Sequence, residues 1–192
     1  MSSHDRDKWN RKYQYTEQDT GSPAIVLSEN RYLLPARGKA LDLACGLGAN
    51  AVELAKSGLE VHAWDISEIA LEKLEHKALQ EGVQIHTEQR DISLHPPEPE
   101  MFDIIVVTYF LDRKIIPHII TALRPIGLVY YQTFTRDKPG SVGPKNPDYL
   151  LERNELLVLF HKLSIVLYRE EGRIGDTEQG HRNEAMLIAQ KR

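Results

Sequence analysis

The chain has 192 residues, 41% hydrophobic and 27% charged, with a formal net charge of -4, so one domain with a single core is expected, because two halves would each bury too little surface. The mildly acidic balance argues against nucleic acid or anionic lipid as a partner, and no apolar run approaches the ~18 residues that span a bilayer. A single cysteine, Cys45, excludes an internal disulfide, and a polar Met1 to Asn10 lacks the apolar stretch of a signal peptide, which leaves a cytoplasmic protein acting on a small molecule as a monomer or dimer.

Residues 1–38 are polar, with aromatics at Trp9, Tyr13, Tyr15 and Tyr32, and read as a helical cap or lid segment. Asp7 to Tyr13 suits one or two helical turns, Ala24 to Leu33 carries a weak helical stripe, and Pro35 with Gly38 breaks the pattern. From residue 39 to 192 the signals sharpen into one main domain. Ala40 to Ala44 reads as a short buried strand, Gly46 and Gly48 follow, and Ala49 to Ser57 is a helix with Gly58 at its left-handed cap. Glu60 to Trp64 is the next strand. Ser67 is a good N-cap for a helix that keeps Ile69, Ala70, Leu74 and Ala78 on one face and stops at Gly82. Val83 to Thr87 is a third strand, and Phe102 to Thr108 is apolar throughout, which implies burial on both faces. Lys114 to Leu123 reads as a helix, Gly127 to Phe134 as the fifth strand and Glu152 to Phe160 as a last helix. The strands Ser164 to Arg169 and Ala185 to Gln190 have no helix between them, so they should pair antiparallel at a sheet edge. Alternating strands and helices predict an α/β fold with a mostly parallel, doubly wound sheet.

The chemistry concentrates after the first strand. Gly46-x-Gly48-x-x-Ala51 satisfies the dinucleotide-binding spacing, in which alanine can stand third. The two glycines let the backbone turn and approach a ligand without a Cβ in the way, and the following helix N-terminus suits an anionic group. A plain turn is the alternative. Asp65 ends the second strand, where a carboxylate can accept both hydroxyls of a ribose, or can simply be a helix N-terminal charge beside Ser67. Nicotinamide enzymes and methyltransferases both place an acid there, so these residues alone leave both open.

The ordered set of motifs resembles the class I S-adenosylmethionine-dependent methyltransferases. LDLACGLG is similar to their first motif, with an acid inside the strand, and HAWDIS to their second. Arg90-Asp91-Ile92, FDIIVVTYFLD and Leu123-Arg124-Pro125-Ile126-Gly127-Leu128 resemble three later motifs, with Ile126 departing from a more usual Pro-Gly-Gly. The likeness runs from Ala40 to Phe134. Trp9 to Tyr13 and VELAKSGLEVHAWDIS bring the chain nearest the small tellurite-resistance-type methyltransferases.

That resemblance implies a Rossmann-like sheet of seven strands with a C-terminal antiparallel strand, and S-adenosyl-L-methionine as cofactor. It implies Asp42 on the methionine amino group or bracing the glycine turn, Asp65 on the ribose, and Asp91 on the adenine amino group. Ala44, Gly46, Gly48, Asn50, Ile66, Ile92, Thr108 and Tyr109 complete the expected donor site, with Trp9 and Tyr13 closing over it. The acceptor it implies is small: a thiol, a thiopurine or a chalcogen oxyanion. Displacement at a methyl sulfonium leaves a neutral thioether, so alignment and exclusion of water matter more than acid catalysis. A general base is needed only if the acceptor carries a proton at the reacting atom, so no catalytic pair need stand out, and no two histidines stand at metal-ligand spacing. Arg136, Lys138, Lys145, Arg169 and Arg173 could guide an anionic acceptor or be a solvated face. The rivals are a nicotinamide-linked oxidoreductase, which shares Asp65 but not the acid in the first strand, and a donor-binding module without catalysis.

Overall fold

The computed structural model describes residues 3–16 and 21–192, with side chains from Asp5 onward. Helix α1 (Ser3–Gln14) and a short α2 (Ile25–Ser28) precede strand β1 (Lys39–Leu43). Then follow α3 (Ala49–Lys56), β2 (Glu60–Asp65), α4 (Glu68–Glu81), β3 (Ile85–Gln89), β4 (Phe102–Thr108), α5 (Ile116–Ala122) and β5 (Leu123–Phe134), with α6 (Glu155–Leu159), β6 (Ser164–Glu170) and β7 (Glu184–Gln190) ending the chain. Seven strands make one sheet in the order β3-β2-β1-β4-β5-β7-β6. The first five run parallel to their neighbours, and β7 lies antiparallel between β5 and β6. The sequence expectation of an antiparallel terminal pair holds, with β6 rather than β7 at the edge. Among the described residues no helix is long and apolar enough to cross a membrane.

Period-two alternation sorts the central strands onto two packed faces. Leu41, Leu43, Ile105, Val107, Val129 and Tyr131 meet α5 and α6 on one face. Ala40, Val61, Ala63, Ile104, Val106 and Tyr130 meet α2, α3 and α4 on the other. Asp42, two residues from Ala40, therefore points into an apolar layer, and this placement governs the site.

The element boundaries that differ from expectation do so for local reasons. The Val83 amide donates to Ala78 O at 3.0 Å and so completes the end of α4 around Gly82 (φ 68), which moves β3 to Ile85–Gln89. Asn154 sits at φ 61, a left-handed conformation that cannot continue a helix, so α6 begins at Glu155 instead of Glu152. Pro117 opens α5, and Leu123 pairs with Phe102 as sheet, so β5 starts four residues earlier than Gly127. The Ala24 to Leu33 stripe splits into α2 and a single tight turn over Arg31–Leu33. The expected helical turns at Asp7 to Tyr13 extend to the full α1.

Candidate functional site

At the carboxyl end of β1 the chain turns through Ala44, Gly46 and Gly48, at φ 57, 53 and 77. Two acids from neighbouring strands hold that turn. Asp65, at the end of β2, accepts the Gly46 amide on Oδ2 and the Ser67 amide on Oδ1, each at 2.8 Å. Asp42 accepts the Ala51 amide on Oδ2 at 3.0 Å, one turn into α3. Asp42 is 1% exposed, and its Oδ1 has no hydrogen-bond partner. Burial pushes its pKa up to about 8, against the pull of the Ala51 amide and the nearby Asn50 side chain. Asp65 is raised too, chiefly by burial, with the Ser67, Gly46 and Ile66 amides opposing.

The two glycines answer to different neighbours. A Cβ on Gly46 would stand 2.8 Å from the Tyr13 hydroxyl, which comes from α1. A Cβ on Gly48 would stand 2.2 Å from Leu74 Cδ1, so this glycine is required where α4 packs on the turn. Helix α1 is fastened across the site by polar contacts. The Ser67 hydroxyl donates to Asn10 Oδ1 at 2.6 Å, the Asn10 amide donates to Glu68, and Lys73 Nζ donates to the carbonyls of Tyr13 and Thr16. Trp9 stacks on Tyr13 with ring centroids 5.7 Å apart. The Tyr13 phenol is held well above its ordinary range by burial first, then by Asp65, Cys45 and Asp42. These four groups therefore share one small volume.

Asn50 carries the site to the next strand. Its amide donates to Thr108 Oγ1 at 2.9 Å, and its oxygen accepts the Ala24 amide at 2.9 Å. Tyr109 follows at φ 57, its amide bonded to Gln132 O at 2.9 Å and its ring 5.3 Å from that of Phe134. Ala44 and Tyr109 are thus two non-glycine residues in the left-handed region at the carboxyl ends of adjacent strands, a concentration of backbone strain typical of working sites. Gln132 and Glu184 join Tyr109 in a polar cluster that sequence reading did not select. A glutamine inside the apolar run LVYYQTF was its only signal.

Other expected residues lie around this centre. Ile66 is half-buried, and its carbonyl accepts from Gln89. Asp91 accepts the Ser93 amide at 3.1 Å, and Ile92 is buried in the core at 3% exposure. Arg90, just before them, lies 4.0 Å over the Trp64 ring. Of the basic residues considered for an anionic acceptor, Arg136 pairs with Glu152, Arg169 with Glu171 and Arg173 with Asp137, while Lys138 donates to Val142 O. Lys145 is exposed on its loop. His118 faces outward from α5, and the described residues include no group of His, Cys, Asp and Glu fit to hold a metal ion.

Comparison with known proteins agrees with this architecture. The family profile of tellurite resistance protein TehB matches residues 1–186. A probable S-adenosyl-L-methionine-dependent methyltransferase TehB of Haemophilus influenzae (strain 10810) is 30% identical over 168 residues, covering 80% of this chain and 57% of the relative. A ubiquinone biosynthesis O-methyltransferase of Coxiella burnetii (strain Dugway 5J108-111) is 25% identical over 143 residues, covering 66% of this chain and 61% of the relative. The chain thus spans about three fifths of the length of these curated relatives. The crystal structure of TehB from Haemophilus influenzae superposes with a TM-score of 0.72 at 24% identity, over 97% of this chain and 67% of that one. A methyltransferase structure from Methanosarcina mazei gives 0.68 at 21% identity, over 89% and 99%. With the profile spanning nearly its whole length, this chain belongs to the family of tellurite resistance protein TehB.

Proposed function

We propose that this protein binds S-adenosylmethionine at the glycine turn and transfers its methyl group to a small acceptor of the thiol or chalcogen-oxyanion class. The observation that carries the reading is the partnerless Oδ1 of Asp42, buried in the same volume as Asp65, Cys45 and Tyr13, whose hydroxyl stands over Gly46. A buried carboxylate oxygen without a donor is costly, and a ligand ammonium satisfies it. The pyrophosphate of a nicotinamide dinucleotide carries no hydrogen-bond donor and would leave that oxygen unsatisfied. Asp42 therefore favours the adenosyl donor over the oxidoreductase rival.

The remaining residues fit that donor. A carboxylate offers about four lone-pair sites, and the Ser67, Gly46 and Ile66 amides draw on three of them at Asp65, so capacity remains for one ribose hydroxyl. Asp91 and Ile92 follow β3 at the same sheet edge, where they would meet the adenine. Asn50 and Thr108 link the turn to β4, and Ala44, Gly46, Gly48 and Ile66 supply the backbone wall. When bound, the donor supplies an electrophilic methyl carbon on a cationic sulfur. The protein's part is to hold the two ends of the donor, align the acceptor and exclude water. Of residues 1–38, the described 3–16 and 21–38 act as the cap of a single domain over 39–192, with Tyr13 closing above Gly46 and Trp9 stacked on it, while 1, 2 and 17–20 lie outside the described residues.

Thermal shift with S-adenosylhomocysteine, NAD and NADP tests the reading, since a ligand that prefers the native state raises its melting temperature. The adenosyl compound should stabilise and the nicotinamide compounds should not; the reverse pattern overturns the assignment. Release of S-adenosylhomocysteine with a panel of thiols and chalcogen oxyanions then separates an enzyme from a binding module.

A further inference from the structure

Gln132 and Glu184 have no place in the donor site described above, yet with Tyr109, which was expected to line that site, they form a cluster at the same edge of the sheet. β1, β4, β5 and β7 are successive neighbours, and Tyr109 directly follows Thr108, which Asn50 ties back to the glycine turn. Because β7 runs antiparallel, its first residue, Glu184, lies opposite Phe134 at the carboxyl end of β5.

Gln132 fixes the polarity of the cluster. It is fully buried, and its Oε1 accepts the Val26 amide at 2.7 Å. A backbone N–H can only donate, so the amide oxygen must face Val26 and both side-chain N–H groups must face away. One donates to the Tyr109 oxygen at 3.3 Å and the other to Glu184 Oε2. The Tyr109 oxygen is therefore an acceptor toward Gln132, and its own proton is left for the Glu184 carboxylate beside it. Burial and that carboxylate push the Tyr109 phenol up to about 12, so it stays protonated. Tyr109 remains 49% exposed, which leaves the cluster open to an incoming molecule.

No cation among the described residues pairs with Glu184. Several basic side chains in the loops that meet the sheet at this edge have other partners, while Lys145 lies exposed on its loop. Arg136, Arg169 and Arg173 sit in ion pairs, and Lys138 is bound to a carbonyl. Arg182 donates to the carbonyls of Gly172, Ile174, Asp176 and Gln179 and pairs with Glu171. His181 stands 3.7 Å from Glu29. A carboxylate with only neutral partners repels a second anion and welcomes a hydrogen-bond donor.

We propose that Tyr109, Gln132 and Glu184 form the acceptor subsite, and that it takes a small nucleophile carrying its own proton (a thiol, hydroxyl or amine) in preference to an oxyanion. This rests on the methyl-transfer reading and narrows it. As an acceptor X–H reacts, its X–H bond breaks and the proton passes to the Glu184 carboxylate, directly or as Tyr109 hands on its own proton and takes the acceptor's. The freed electron pair on X forms the new bond to the methyl carbon, and the carbon–sulfur pair leaves with sulfur. Glu184 returns its proton to water after the product departs.

The test uses wild type, Glu184→Gln and Tyr109→Phe, with S-adenosylhomocysteine, 2-mercaptoethanol and selenite as probes. Calorimetry should give the same S-adenosylhomocysteine affinity in wild type and Glu184→Gln within about twofold, because Glu184 lies outside the residues expected to hold the donor. Turnover of the thiol should fall about 100-fold in Glu184→Gln and about 10-fold in Tyr109→Phe. Selenite should not bind the wild-type S-adenosylhomocysteine complex and should bind the Glu184→Gln complex. Selenite binding to wild type, or thiol turnover unchanged in Glu184→Gln, overturns the proposal. Absence of S-adenosylhomocysteine binding to wild type is a separate result and strikes the donor reading instead.

Discussion

Replacing Asp42 with asparagine keeps the side chain's shape and removes its charge, which sets stability against function in a measurable way. The carboxyl is buried, and its pKa is pushed up to about 8 in the folded protein, while an unfolded aspartate titrates at about 3.9. Between those values the folded state holds a proton that the unfolded chain has lost, so rising pH favours unfolding. The slope is about 1.4 kcal/mol per pH unit for one proton. At pH 7 the accumulated cost is roughly 4 kcal/mol, and relaxation around the site reduces it to about 2–4 kcal/mol. Asparagine does not titrate and still accepts from the Ala51 amide, though its own N–H group gains no partner, at a cost of about 1 kcal/mol. Asp42→Asn should therefore match wild type near pH 5 and exceed it by about 1–3 kcal/mol at pH 7. Urea midpoints from pH 5 to 8 on both proteins measure this, and their difference isolates Asp42 from other titrating groups. S-adenosylhomocysteine binding to wild type at pH 7 should release close to one proton, as the ligand ammonium draws the carboxyl into its charged form. Calorimetry in buffers of different ionisation enthalpy reads that proton, which Asp42→Asn should lack. Parallel stability curves for the two proteins, with no proton released by wild type, would refute the reasoning.

Asp65→Ala strands two buried amides, those of Gly46 and Ser67, so it should lower stability by ~2–4 kcal/mol in urea melts as well as weaken the donor. Gly46→Val should abolish the S-adenosylhomocysteine shift, because its Cβ meets the Tyr13 hydroxyl at 2.8 Å and its backbone is left-handed. Gly58→Ala is the control: with φ 88 and Ala36 O at 3.8 Å there is strain without collision, so a loss of ~1 kcal/mol with unchanged donor affinity is expected. Lys73→Ala removes the clasp on the end of α1; it should raise amide exchange across α1 and speed S-adenosylhomocysteine release several-fold while association changes little.

The donor end of the site was legible because its parts are local in the chain or fixed by parallel pairing. Asp42, Gly46 and Asn50 fall within one strand–turn–helix unit, and Asp65 ends the adjacent strand, one position beyond the Leu43–Trp64 pair. What could not be read was how those residues spend their hydrogen bonds. Ser67 is recognisable as a helix N-cap, and its hydroxyl does accept from the Ala70 amide, but nothing local shows that it also donates to Asn10 on α1. Gly48 carries the spacing of a ligand-contacting glycine, yet the nearest claim on its space comes from Leu74.

The acceptor end was illegible for the opposite reason. Tyr109, Gln132 and Glu184 come from three strands, and only the insertion of β7 between β5 and β6 brings the last of them to the carboxyl edge. Had β6 taken the place beside β5, Glu184 would lie one strand further from Gln132, and the Gln132 amide would face a different partner. The sequence specifies an antiparallel terminal pair without specifying which member sits inside. Burial decides it: β7 is covered along Ala185 to Ala189, whereas β6 leaves Ile165 and Val166 exposed, so the more apolar strand takes the interior position. The same hydrophobic choice that closes the sheet thus places a carboxylate beside the Tyr109 hydroxyl.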